Sequence, residues 1–152
     1  MAAIGRKLIS TGAIVFLSAF PAFGDRAADM RSEIGQVATA LTAGNPAEAI
    51  APFDKSFANY QKLRDDFEGL TNAFQLVNEV DVVDERDTEN ETELTLNWTI
   101  TMTDPATNYT ESRSAELSVR LARNGRKWKI VDLSPIGLFN PQQQRKSRAS
   151  PQ

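Results

Sequence analysis

The chain has 152 residues, with 17 Lys and Arg against 20 Asp and Glu, and neither histidine nor cysteine. That length suits one domain. The missing residue types exclude Ser-His-Asp and Cys-His nucleophilic sites, histidine acid–base chemistry, the usual zinc ligand sets, disulfides and a lipidated cysteine anchor. A net charge of −3 without a basic stripe is a poor match to nucleic acid.

The first predicted element is an export signal. Arg6 and Lys7 precede the apolar stretch "LISTGAIVFLSAF" (Leu8–Phe20), and Ala22 and Gly24 are small residues at −3 and −1 before Asp25. The stretch is shorter than the roughly 20 residues of a membrane-spanning helix. Residues 1–24 are therefore expected to be removed as a signal peptide, leaving no stable membrane anchor. The cleaved chain loses two cations and keeps 15 basic against 20 acidic residues. Its expected location is a bacterial periplasm or the medium beyond.

A helix over residues 26–43 follows, with Ile34, Val37, Ala38 and Leu41 recurring at helical spacing along one side. Gly44 suits the position just past its end. "NPAE" starts a second, short helix at once, with Asn45 as N-cap, Pro46 at the first position and Glu48 at the third. A third helix, Tyr60 to about Ala73, follows Asn59 and carries Leu63, Phe67, Leu70 and Phe74 on one face. Gly69 inside it marks either a close backbone neighbour or simply a weaker helix, and the weaker helix is the expectation.

From Gln75 the period changes from 3.6 to 2. Four strands are predicted at 76–84, 91–104, 110–123 and 127–133. In "ELTLNWTITMTD", Leu94, Leu96, Trp98, Ile100 and Met102 take one face and Thr95, Asn97, Thr99, Thr101 and Thr103 the other. A charged tip ("DERDTENETE"), an Asp-Pro turn and an Asn-Gly turn join the strands as hairpins. Residues 25–139 read as a single domain, and 140–152 ("PQQQRKSRASPQ" from Pro141) as a disordered basic tail.

Helices first and an antiparallel sheet afterwards define an α+β chain. At this point a resemblance becomes specific. "ALTAGNPAEAIAPFDKSF" resembles the helix–Gly–Asn/Asp–helix opening of the nuclear transport factor 2-like superfamily, which includes polyketide cyclase-like (SnoaL-like) and ketosteroid isomerase-like proteins. "NGRKWKIVDLSP", with Trp128 and Ile130 after a tight turn, resembles its closing strand. The resemblance implies a cone: three N-terminal helices in the concave face of a curved sheet of about four strands, often with a pocket at the wide end. Leu94 to Met102, Ala115, Leu117, Val119, Leu121, Trp128 and Ile130 are then expected to face the helices.

Within that cone Tyr60, Phe67, Trp98 and Trp128 are the candidate lining of an apolar ligand pocket, although aromatics at such spacing also serve as plain core. The enzymatic alternative is an isomerase, cyclase or hydrolase using a carboxylate base. Asp132 is its candidate, provided the last strand keeps its parity, with Asn78 as an inward amide. A bulge or an early strand end would leave Asp132 in solvent. The acidic tip lacks the pattern of a calcium loop, so no metal and no cofactor are expected. The expected role is an exported non-catalytic module binding a small apolar molecule or a protein, with a homodimer through the sheet as a further partner arrangement.

Overall fold

The computed structural model describes residues 24–141. The predicted export signal before Gly24 and the predicted tail beyond Pro141 lie outside the described residues.

The first helix, α1 (Gly24–Thr42), ends where predicted. Gly44 adopts φ +77°, its N–H donates to Leu41 O, and the Asn45 N–H donates to Ala40 O. This pair of bonds closes the helix through a residue that must be left-handed, which glycine does without a Cβ penalty. Asn45 then opens α2 (Pro46–Ile50), its Oδ1 accepting from the Glu48 N–H at 3.2 Å. The third helix, α3 (Tyr60–Ala73), begins after Asn59 as expected, but the Asn59 side chain makes no capping bond.

Four strands follow: β1 (Gln75–Asp87), β2 (Glu91–Thr103), β3 (Thr110–Asn124) and β4 (Lys127–Ser134). They form one antiparallel, curved and unclosed sheet in the order β1-β2-β3-β4, with the three helices preceding it. β1 runs three residues further into the charged tip than its hydropathy suggests. Residues 52–54 add a parallel bridge at the β4 edge, where Asp54 N–H donates to Ile130 O and Ile130 N–H to Pro52 O. A 3-10 helix, η1 (Ile136–Phe139), closes the described chain. Among the described residues no helix is long and apolar enough to cross a membrane.

The core lies between the helices and one face of the sheet. Ile34, Val37, Ala38 and Leu41 of α1 and Leu63, Phe67 and Leu70 of α3 are buried there, with Phe74 packed at the rim. Leu94, Leu96, Trp98, Ile100 and Met102 oppose them, joined by Leu117, Val119, Leu121, Trp128 and Ile130, with Ala115 partly covered. The predicted register of β2 is therefore the observed one. Burial of this apolar surface, at about 25 cal/mol per Å2, is the main force holding the cone together.

Gly69 corrects an expectation. A Cβ built on it would lie 2.8 Å from Pro141 Cγ, so the glycine is there for close approach and not merely a weak point of α3. The contact seats the chain just past η1 against the helix.

Candidate functional site

Two bulges decide which side chains enter the cone. β1 and β2 pair in regular register from Gln75 to Val82, after which the pairing shifts between Val82 and Asp84. β3 and β4 shift between Arg120 and Leu121, where Leu121 pairs with Ile130 but Arg120 pairs with Asp132. Val131 is the extra residue. Beyond it Leu133, opposite Val119, is buried on the inner side. Asp132 therefore shares the outer side with Arg120. The unbroken parity that would have aimed it inward does not occur, because a bulge moves every later side chain to the opposite face.

Asn78 does point inward and is fully buried. Its Oδ1 accepts from Trp98 Nε1 at 2.9 Å and its Nδ2 donates to Thr42 Oγ1 at 3.1 Å. These bonds tie α1, β1 and β2 together and satisfy the indole N–H, which a buried tryptophan requires.

The aromatic candidates separate into two places. Phe67 and Trp98 both pack edge-on against Phe139, with ring centroids 5.3 Å and 5.2 Å apart and interplanar angles of 83° and 87°. Phe53 continues the cluster from Phe67 at 6.1 Å. Trp128 lies toward the β3–β4 turn, with the Arg123 guanidinium 5.9 Å from its ring centre. Trp98 pairs with Ala115 and Trp128 with Arg123, up to roughly 26 Å apart along β3 at about 3.3 Å per residue. The two indoles do not form one box. Tyr60, at the start of α3, is half-buried and packs against the edge of the core.

Phe139 and Arg113 are the members of this site that the sequence reading missed. Phe139 is fully buried at the centre of the aromatic cluster, although it comes from a four-residue helix near the predicted tail. Asn140 and Pro141, the first two residues of the predicted disordered tail, are instead placed and half-buried. Arg113 pairs with Ile100, which puts it on the same face as Ala115 and Leu117. Its Nη1 donates to Leu138 O at 2.7 Å and to Asn140 O at 2.9 Å. Burial lowers its pKa, opposed by the nearby charge of Glu111. The signal for Arg113 was present in "RSAELSVRL", where a cation occupies an inward position.

Other ionisable groups have local roles. Asp66 of α3 is nearly covered and faces Lys62 Nζ at 3.3 Å; burial nevertheless raises its pKa, with the lysine opposing. At the far end Thr92 is buried and donates to Asp87 Oδ1 at 2.8 Å. Among the described residues no three acidic side chains gather to hold a metal ion.

The convex face is a ladder of hydroxyls. Thr99 pairs with Ser114 at 2.7 Å, Thr101 with Ser112 at 3.0 Å and Thr103 with Thr110 at 2.9 Å. Beside them lies a shallow open depression of about 360 Å3, lined by Asn97, Thr99, Ser114, Ala115 and Glu116.

This architecture has solved counterparts. A conserved protein from Planctomyces limnophilus superposes with a TM-score of 0.66 at 7% identity, over 71% of this chain and 92% of that one. A nuclear transport factor 2-like superfamily protein from Salmonella enterica serovar Typhimurium gives 0.60 at 14% identity, over 74% and 90%. A ketosteroid isomerase-like protein from Erwinia carotovora gives 0.61 at 11% identity, over 73% and 95%. No protein-family model and no curated protein matches the sequence. The chain has the nuclear transport factor 2-like fold. At such identities the likeness extends to the fold alone, and function must be argued from the site.

Proposed function

We propose that the protein is an exported, non-catalytic binding module that takes a small apolar ligand against the concave face of its cone, where Phe139 now sits. The observation that carries this reading is the edge-on packing of Phe139 against both Phe67 and Trp98. Strand β2 and helix α3 supply two aromatic walls, and the ring beside them comes from a short appended segment. A ligand ring can replace such a side chain without disturbing the sheet.

The polar groups on the inner face favour binding over catalysis. Asn78, Trp98 and Thr42 spend their hydrogen bonds on one another, and Asp132 belongs to the outer face with Arg120. A base needs both reach and a donor aimed at the developing charge. The enzymatic alternative has neither at its proposed residues.

The test is Phe139→Ala, which leaves a ring-sized gap between Phe67 and Trp98. Calorimetric titration with indole, on a variant shown to be folded by circular dichroism, should give saturable binding that the unaltered protein shows weakly or not at all. A folded variant that binds no indole would overturn the reading. A second arrangement, two copies paired through the convex sheet, is favoured by the depression beside the hydroxyl ladder. Sedimentation at micromolar concentration, with Thr99→Arg as the disrupting variant, tests it separately.

A further inference from the structure

The Arg113 guanidinium is satisfied on one side only. Nη1 spends its hydrogens on the carbonyls of Leu138 and Asn140. Nε and Nη2 are buried and have no hydrogen-bond partner. These two nitrogens form a single edge of the planar group. Their N–H bonds run parallel, at the separation of the two oxygens of a carboxylate. A buried cation is normally paired, because removal from water without a counter-charge is costly. Glu111, paired with Met102 two residues before Arg113, acts on it through its charge, but no salt bridge joins them.

Its location gives this edge a meaning. The carbonyls held by Nη1 belong to the residues on either side of Phe139. The half-satisfied guanidinium and the ring filling the aromatic cleft therefore sit at the same end of the cone. We infer that the Nε–Nη2 edge of Arg113 is a carboxylate-binding site, and that the ligand is a monocarboxylic acid with an apolar aryl or alkyl body. The acid group takes the free edge while the body takes the place of Phe139. This inference rests on the reading of the cone as a ligand site and adds the chemical class of the ligand. The segment through η1 is then a stand-in occupant. Its ring fills the apolar half of the site and its carbonyls occupy Nη1, while the Nε–Nη2 edge is covered and left without a partner.

A matched pair of probes separates the two layers. 3-Phenylpropionate and 3-phenylpropionamide have nearly the same shape and differ in the carboxylate. Both are titrated into Phe139→Ala, in which the apolar half is vacant and Arg113 is unchanged. The acid should bind at least tenfold more tightly than the amide. Adding Arg113→Met, which removes both the charge and the planar fork, should bring the acid down to the affinity of the amide and leave the amide unaffected. Equal binding of acid and amide to Phe139→Ala would overturn the carboxylate inference while leaving the apolar site standing. An acid preference that survives Arg113→Met would overturn the assignment to Arg113. Binding of neither probe would overturn the site itself.

Discussion

Trp98 offers the sharpest test of how the cone is held. It is 1% exposed, packs edge-on against Phe139 and donates its indole N–H to Asn78. Replacing it with alanine should cost about 3–5 kcal/mol in lost burial and cavity formation. The Asn78 carbonyl would also lose its donor inside the core, adding about 1–3 kcal/mol. Together these approach the whole stability of an ordinary domain, about 5–15 kcal/mol. Trp98→Phe is therefore the more informative variant, because it keeps an apolar ring and removes the N–H. Its cost should be partly recovered in a Trp98→Phe, Asn78→Leu double variant, where no amide is left unpaired. Thr99→Ala, one residue along, should cost under about 1 kcal/mol, the worth of a cross-strand pair such as its contact with Ser114. Urea melts measure all four. At a slope of about 1–3 kcal/mol per M, Trp98→Phe should move the midpoint clearly and Thr99→Ala barely. Equal midpoints for the two single variants would refute the assignment of faces, since a slip of one residue exchanges them.

Three further outcomes follow from the same reasoning. Mass spectrometry of the exported fraction should find a chain beginning at Asp25, and an intact Met1 chain held only in membranes would count against export. Because burial raises the pKa of Asp66 above its ordinary 3.8, the protonated carboxyl favours the folded state, and that stability is lost as pH rises through the raised value. Asp66→Asn should thus gain on the parent protein between about pH 4 and neutrality in melts across that range, and a gain that shrinks with rising pH would sink the argument. Gly69→Ala should destabilise despite a helix-propensity gain of about 1 kcal/mol, because the new Cβ meets Pro141. A higher melting temperature would mean that Pro141 does not pack there.

Periodicity makes the frame legible in the sequence. The alternation in β2 placed Leu94 to Met102 inward, and Gly44 with Asn45 marked the α1–α2 corner through residues whose backbone geometry demands them. The bulges were not legible in the same way. An extra residue at Val131 costs a strand one unpaired position, and valine is equally at home in a bulge and in a ladder. Yet it decides whether Asp132 faces the core or the water. Phe139 was hidden for a different reason. Four residues beside a polar tail carry no period, so its burial depends on α3 and β2, both distant in sequence. Gly69 was ambiguous until Pro141 came beside it, because a close neighbour leaves no mark on the helix that accommodates it.

The polar residues on the inner face differ in how far the fold satisfies them. Asn78 and Thr92 enter the apolar side of the sheet, and each meets a partner supplied by the fold: Trp98 and Thr42 for the first, Asp87 for the second. Such completed contacts fix geometry and offer a ligand little, because breaking them would leave a buried group unpaired. Arg113 differs in that one edge of its guanidinium is used and the other is not. An unsaturated charge beside a replaceable ring gives both polarity and shape to the same end of the cone. A neutral apolar compound would meet only the shape, and a small inorganic anion only the charge. On the proposed reading, the arrangement would select molecules that carry both.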